Sequence, residues 1–417
     1  MKFWKKYSSK ELSQKINQAI KSNVNFSTDV SLGYPASKLD GNVFYDNAPF
    51  LKDAPLLKAF VANPNHIGCH TIGESERAFK GTHELEREAL NVLAVDIFNC
   101  ETNAYDGYIA TGGTEANIQA LWVYRNYFVN NFNASFDEIA IVSSEDTHYS
   151  IPKGSNLLGI KNLSIPVDFE TRLIDRDVLK NAIEKAKNSG KKYFIVVSNM
   201  GTTMFGSIDD PNLFAEVLSE QKVEFKIHID GAFGGFIYPF NKERQAIDFS
   251  NPHISSITID AHKMLQAPYG TGVFLSRKEL IHNVLTKEAQ YVNGMDLTLC
   301  GSRSGANALA VWMILFSYGP HRWFEKINIL LMRTKWLCEQ LDLLGIEYYH
   351  HPKMNIVTMK STKISKNIEE KFDLVPETHD GNNKWYKIVI MDHVEINHLE
   401  DLLDCIKKSW TEEPEFQ

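Results

Sequence analysis

Cysteine is scarce and scattered in this sequence of 417 residues. The five cysteines lack the short spacings of zinc sites, and an odd, dispersed set predicts reduced thiols. No apolar run is long enough to span a bilayer. The basic first ten residues are not followed by the apolar segment of a secretory signal. These absences predict a cytoplasmic protein without a membrane anchor, and they indicate no metal site.

Basic residues are also fewer than acidic residues in this sequence. The sequence has 44 Lys and Arg residues against 52 Asp and Glu residues, a formal net charge of −8. A polymer of phosphates would be repelled by this balance, so we predict no nucleic-acid partner and expect a small-molecule substrate. The length is sufficient for one large core and a smaller second domain.

The order of apolar segments indicates the fold. Short apolar strands such as EIAIVSS, YFIVVSN and SSITID alternate with amphipathic helices, which is typical of parallel βαβ units with a sheet buried on both faces. The sequence therefore predicts an α/β fold with a large domain, whose mainly parallel sheet is sandwiched by helices, and a small C-terminal α+β domain. We place an N-terminal arm at 1–50, the large domain at 51–298 and the small domain at 299–417, with a loop over 361–384.

Neither G-x-x-x-x-G-K-[ST] nor G-x-G-x-x-G occurs at the one glycine-rich strand end, ATGGTEAN, so no nucleotide is indicated there. Gly113 and Thr114 begin a helix in this stretch. Free N–H groups and the helix dipole favour a phosphate at such a position. A simple helix cap explains the same residues equally well.

Three other predicted strand ends carry reactive side chains. His148 follows a strand in SSEDTHYS, Asp230 precedes the small residue Ala232 in HIDGAFGGF, and His262 and Lys263 follow a strand in SITIDAHKM. Ligands of parallel sheets bind at this edge. Taken singly, the histidine is more simply a surface residue and the aspartate a turn cap.

Taken together, the four strand ends are far more specific. They offer a phosphate site, space for a flat ring over Ala232, a carboxylate for a ring nitrogen and a lysine amine. Pyridoxal 5′-phosphate requires all four, because its aldehyde bonds to a lysine and its protonated pyridine draws electrons from the substrate.

The motifs also resemble those of a known family. The stretches DGYIATGGTEAN, SSEDTHYSIPK, NMGTTMFGSIDD, HIDGAFGGF, SITIDAHKM and LCGSRSG occur in the order found in group II pyridoxal-phosphate-dependent amino-acid decarboxylases. The resemblance covers roughly 85–312, and the chain is similar in length to bacterial histidine, plant serine and archaeal tyrosine/aspartate decarboxylases. It implies fold type I and a homodimer with active sites shared across the interface.

The resemblance implies catalytic and cofactor-binding roles at matching positions. Lys263 would bond to the cofactor aldehyde, and Asp230 would pair with the pyridine nitrogen. Ala232 would pack on one face of the ring. His148 would stack on the other face, close to the substrate carboxylate. Tyr291, in AQYVNGMD, is our candidate for the acid that returns a proton to Cα, although an exposed loop tyrosine is an equally good interpretation.

The remaining implied contacts concern the cofactor's phosphate and 3′-hydroxyl. Thr203 would lie on the 3′-hydroxyl side, and Asp260 departs from the asparagine or small residue of many relatives. The residues implied at the phosphate are Gly113, Thr114 and His262 from the same subunit and Gly301, Ser302 and Arg303 from its partner.

The implied reaction is decarboxylation of an L-amino acid to its amine. His66 and His70 match a region that lines the substrate pocket in relatives, and they may equally be surface residues. We expect an aromatic or imidazole substrate. The alternatives are an acidic substrate such as aspartate or glutamate, a carbon–carbon lyase of the sphingosine-phosphate lyase type, and a non-catalytic protein that binds the cofactor.

Overall fold

The computed structural model describes Val30, Leu32, Gly33, Asp40 and residues 64–73, 79–241, 243–287, 289, 295–377 and 384–412. The predicted N-terminal arm over 1–50 therefore lies largely outside the described residues, and Tyr291 lies wholly outside them. The strands are β1 Tyr105–Ala110, β2 Ile139–Ser144, β3 Lys161–Ile165, β4 Tyr193–Asn199, β5 Glu224–Asp230, β6 Ile254–Asp260, β7 Gly272–Arg277, β8 Tyr348–His350, β9 Ile356–Lys360, β10 Val375–Pro376 and β11 Trp385–Val389. The α-helices are α1 Lys80–Asn91, α2 Gly113–Phe132, α3 Ser150–Leu158, α4 Arg176–Asn188, α5 Pro211–Glu220, α6 Gly305–Leu343, α7 Lys366–Phe372 and α8 Ile396–Glu412.

A seven-stranded sheet forms the centre of the large domain, in the order β1-β7-β6-β5-β4-β2-β3. Neighbouring strands from β6 to β3 are parallel, and β7 is antiparallel to both β1 and β6. Strands β2 and β6 are buried at every position, as expected for a sheet covered by helices on both faces. The predicted α/β fold with a mainly parallel sheet is confirmed.

Side-chain caps fix where two of the covering helices begin. The Asp175 carboxylate accepts from two backbone N–H groups at the start of α4, and Asp210 accepts from Asn212 N while Pro211 occupies the first turn of α5. Both aspartates satisfy donors that a helix start leaves without partners. These caps return the chain to the sheet in the correct register, so that each strand ends at the same edge.

A second, four-stranded sheet follows in the order β10-β11-β9-β8, with every neighbouring pair antiparallel. Its core includes residues from α6, α7 and α8. The loop predicted over 361–384 is wrong in part, because α7 and β10 lie within it. Ile368 and Phe372 are buried in the small core, so two apolar residues in a polar stretch were sufficient to form a helix.

Helix α6 connects the two cores. It contains a kink at Gly319, whose φ of 65° is left-handed, followed by Pro320. Residues before the kink pack in the large core, whereas Leu337 and Leu341 near its end pack in the small one. We therefore propose that the boundary lies within this helix rather than at residue 299. Among the described residues, no helix is sufficiently long and apolar to cross a membrane.

A buried ion pair connects the start of this region to α1. Arg303 Nη1 lies 2.6 Å from Glu86 Oε1 and also donates to the Ile109 carbonyl, and Nη2 donates to the Gly68 carbonyl. Burial alone would raise the pKa of Glu86, but the Arg303 charge and a hydrogen bond with His66 hold it well below its usual range. The structure thus places Arg303 in a buried network within its own chain. Its contact with a partner's phosphate stays a prediction.

Breaking this pair should destabilise the large domain. Arg303→Met leaves the Glu86 carboxylate buried without its cation, which typically costs about 3–5 kcal/mol. We expect the free energy of unfolding, measured by urea titration with circular dichroism, to fall by that amount. Arg176→Met is the matched control, because its partners Glu216 and Glu220 are exposed and such pairs contribute about 1 kcal/mol or less. Equal losses in the two variants would contradict the assignment.

Candidate active site

One pocket lies at the carboxyl edge of the large sheet, where β2, β4, β5 and β6 end. Its lining residues are His148, Asn199, Gly201, Thr202, Thr203, Asp230, Ala232, Phe233 and Lys263. The structure therefore brings together five residues singled out from the sequence, contributed by four separate strand ends. They meet because parallel strands all present their carboxyl ends at one edge.

Asp230 ends β5 as a buried carboxylate that accepts two hydrogen bonds. Asn117 Nδ2 donates to Oδ2 at 2.8 Å, and the Ala232 N–H donates to Oδ1 at 3.1 Å. Asn117 is itself oriented by His228, whose Nε2 lies 3.0 Å from Asn117 Oδ1. Burial lowers the pKa of His228 to about 3, so the imidazole is neutral. Both donors therefore point toward the Asp230 carboxylate, which acts as their acceptor.

Lys263 lies beside a second carboxylate, that of Asp260. The Lys263 Nζ to Asp260 Oδ2 distance is 3.1 Å, and Asp260 Oδ1 accepts from the Gly113 N–H at 2.5 Å. This carboxylate thus joins the reactive lysine to the start of α2. Sequence analysis recorded Asp260 only as a departure from the family pattern, and the structure makes it a direct neighbour of the lysine amine.

The start of α2 has the form of a cradle for a phosphate. Gly112 has a φ of 156° and supplies no side-chain cap to the helix. A Cβ on Gly113 would lie 2.7 Å from Asp260 Oδ2 and 3.2 Å from the Ala232 Cβ, so only glycine permits this close approach. His262 Nδ1 is buried here and has no hydrogen-bond partner among the described residues. The ring nitrogen of His262 that has no partner, the glycine-bounded start of α2 and the adjoining pocket fit pyridoxal phosphate.

His148 lies on the loop after β2 and lines the same pocket. Its Nδ1 lies 3.0 Å from Ser150 Oγ, which fixes the ring at the start of α3. Burial lowers the pKa of His148, and the charge of Asp230 opposes that shift only in part. The ring lines the pocket together with Asp230 and Lys263.

Three pocket neighbours were missed by sequence analysis. Asn199 lies opposite Asp230 in the β4–β5 register and donates to Asp209, whose pKa burial raises to about 7. Lys387 Nζ donates to the Thr203 carbonyl at 3.1 Å. Burial, aided by the charge of Lys263, lowers the pKa of Lys387 to about 8. No motif indicated Lys387, because it reaches the pocket from the small domain.

Other predicted site residues lie elsewhere. His66 and His70 were predicted to meet the substrate, but the structure buries both outside the pocket, where His66 Nδ1 lies 2.5 Å from Glu86. Ser302 Oγ accepts from Asn65 at 3.0 Å in an exposed position. The phosphate contact predicted for Ser302 and the substrate contacts predicted for His66 and His70 stay predictions.

Comparison with known proteins agrees with this geometry. Residues 65–355 match the pyridoxal-dependent decarboxylase conserved domain. The chain is 54% identical over 408 residues to a tryptophan decarboxylase of Clostridium sporogenes, covering 98% of both chains. It is 32% identical to a probable L-tyrosine/L-aspartate decarboxylase of Methanocella arvoryzae, covering 86% of this chain and 94% of the relative.

A solved structure shows the same fold at low identity. The Oryza sativa TDC, solved with PLP and tryptamine, superposes with a TM-score of 0.83 at 17% identity and covers 99% of this chain and 90% of its own. The predicted family and cofactor are confirmed by the matched domain and by the relatives. With its lysine, aspartate, histidine and glycine cradle at one sheet edge, the chain belongs to the pyridoxal-dependent decarboxylase family.

Proposed function

We propose that this protein removes the α-carboxylate of an aromatic L-amino acid, with tryptophan as the first candidate. The observation that carries the proposal is the 54% identity, over 98% of both chains, to the tryptophan decarboxylase of Clostridium sporogenes. An imidazole or acidic substrate and carbon–carbon cleavage remain as alternatives. A non-catalytic role is not favoured, because Lys263, Asp230 and His148 all line one pocket.

A second cavity supports an aromatic side chain. It has a volume of about 300 Å³ and is lined by three aromatic rings, those of Phe169, Phe205 and Trp385. It lies next to the cofactor pocket, since the loop after β2 and the segment after β4 contribute residues to both. Its charged lining is mixed, with Glu145, Asp146 and Glu377 beside Arg172 and Lys384, so the support for an aromatic substrate comes from the three rings and not from the charges.

The residues of the pocket have different roles in the proposed reaction. Pyridoxal phosphate, when bound, supplies the electron sink for the bond that breaks. Asp260 is placed to accept the proton that the Lys263 amine must lose before it can attack a carbonyl carbon. With the cofactor bound, Asp230 would hold a proton on its ring nitrogen, and the His148 ring, which lines the same pocket, would limit water at the substrate carboxylate.

A substrate panel tests the proposed activity. We expect the purified holoenzyme to release CO₂ from L-tryptophan with the highest kcat/KM, with weaker activity on phenylalanine and tyrosine. We expect kcat/KM for histidine, aspartate and glutamate to be at least about tenfold lower. A difference of about 1.4 kcal/mol in transition-state free energy between two substrates is sufficient for a tenfold ratio. Fastest release from aspartate or glutamate would establish the acidic alternative.

Lys263→Ala is the control for the panel. It should abolish turnover while leaving the folded state intact, because the amine contributes reactivity rather than packing. Borohydride should fix the cofactor to Lys263 in the wild-type protein and to nothing in the variant. Cleavage of a phosphorylated long-chain amino alcohol to an aldehyde, without CO₂ release from any amino acid, would instead establish the carbon–carbon lyase.

The charge of Asp230 should matter more than its size. In Asp230→Asn, the oxygen of the new amide would accept from Asn117, so its NH₂ group would face the ring nitrogen and could not hold a proton there. We expect kcat to fall by roughly a hundredfold or more, equivalent to about 3 kcal/mol. Single-turnover decarboxylation with the cofactor fully bound measures this.

Asp210→Asn is the matched control for that variant. Asp210 caps α5, a position where asparagine serves nearly as well, and it does not line the pocket. Its kcat should stay within about twofold of the wild-type value. A near-native rate in Asp230→Asn would refute the assigned role of Asp230.

We further propose a cytoplasmic homodimer that shares its active sites. All five cysteines are free, in accord with a reducing compartment. Large apolar side chains stay exposed on the single chain, among them Leu299, Phe316 and Met332. Sedimentation velocity at micromolar concentration should give twice the mass of one chain, and a species of single-chain mass would reject the dimer.

A further inference from the structure

Three histidines form a buried cluster outside the cofactor pocket. His66, His70 and His83 are each at most 3% exposed, and one nitrogen from each lies within 4.8 Å of those of the other two. The His70 and His83 rings stack with centroids 3.4 Å apart, and the His66 ring meets the His83 ring edge-on at 4.4 Å. The decarboxylation chemistry described above uses none of these rings.

The cluster contains buried polar atoms without partners. Neither ring nitrogen of His70 has a hydrogen-bond partner in the described structure, and His83 makes no more than a weak contact with the Asn65 backbone. A neutral imidazole carries one donor and one acceptor, and each buried group left without a partner costs about 1–3 kcal/mol. Buried groups of this kind require an explanation, such as a bound ion or a trapped water.

We propose that His66, His70 and His83 form a binding site for Zn²⁺. Neutral imidazole nitrogen is a preferred ligand of this cation, and three protein ligands with a fourth position for water make a common zinc site. Zinc–nitrogen bonds of about 2.0–2.1 Å place tetrahedral ligands about 3.4 Å apart. The nitrogens lie within 4.8 Å of one another, so the widest pair must close by at most about 1.4 Å. The stacked His70 and His83 rings must also rotate, because the lone pairs that bind an ion lie in the ring planes and these two rings are nearly parallel.

His66 is already prepared for this role. Its Nδ1 lies 2.5 Å from Glu86 Oε2, so the carboxylate fixes the proton on Nδ1 and leaves the lone pair on Nε2. Carboxylates orient metal-binding histidines in this way. Nε2 lies 2.8 Å from Thr82 Oγ1 and the Phe79 carbonyl lies 3.1 Å from the same hydroxyl, whose single proton can go to only one of them. If Nε2 turns to an ion, the hydroxyl donates to the Phe79 carbonyl and keeps a partner.

The electrostatic surroundings permit a cation. Arg303 is the charged donor next to the cluster, and Glu86 balances it at 2.6 Å. An ion held here would connect the 64–73 segment to α1, as a clip that stabilises the folded chain.

Zinc binding by the wild-type holoenzyme is the first test. The protein is prepared without a polyhistidine tag, treated with chelator, freed of unbound cofactor and titrated with Zn²⁺ against a chromogenic chelator. We expect one tightly bound ion per chain, and Co²⁺ in its place should give the visible bands of a tetrahedral or five-coordinate site. Absence of any tight site would overturn the proposal and leave a trapped water as the explanation.

Variants then place the ion. His83→Asn and His70→Asn should each reduce the bound zinc from one to near zero per chain, while circular dichroism and cofactor absorbance stay unchanged. His282→Asn is the matched control, since this histidine is exposed and lies outside the cluster. Full zinc binding in both cluster variants, or its loss in the control, would contradict the site. If the cluster variants fail to fold, protection of the wild-type nitrogens from diethyl pyrocarbonate by Zn²⁺ decides the question.

Discussion

The common direction of β2, β4, β5 and β6 is the constraint on which the site depends. Because these strands are parallel, their carboxyl ends lie at one edge, and four loops distant in sequence meet there. The register places Asn199 beside Asp230. The Asp260 carboxylate then joins the last of these strands to the start of α2 and to Lys263. Reversal of one strand would move its functional residue to the opposite edge.

Behind Asp230, a relay of buried hydrogen bonds runs in one direction. The Tyr124 hydroxyl donates to Ser256, and Ser256 Oγ lies 2.7 Å from His228 Nδ1. Because Asn117 Oδ1 can only accept, the His228 proton must be on Nε2. Each group thus donates forward, and the last donor is presented to the carboxylate. Such a relay keeps Asp230 an acceptor, which its pairing with a protonated ring nitrogen requires.

The sequence predicted those site residues that directly follow an apolar strand. Lys263, Asp230 and His148 each follow an apolar strand, so the parallel sheet alone indicated that they would meet. Lys387 could not be found in this way, because it belongs to the small domain and reaches the pocket only through domain packing. Asn117 was missed because an asparagine inside a helix carries no signal of what faces it. The pairing of Arg303 with Glu86 depends on a contact between residues 217 positions apart, which no local pattern shows.

Two buried networks of polar side chains, the relay behind Asp230 and the histidine cluster, differ in how many of their polar atoms have hydrogen-bond partners. The relay at Asp230 has a partner for each member, and its burial therefore strengthens every bond within it. Around His70 and His83 several buried atoms lack partners, among them both ring nitrogens of His70 and the Nε of Arg303, although Glu86 and the Arg303 Nη1 group bind each other and the backbone. The same low dielectric that favours the first arrangement penalises the second. The relay behind Asp230 is satisfied, whereas the histidine cluster is incomplete. A bound ion would supply the partner that the cluster lacks, and this is the physical reason to look for an ion there.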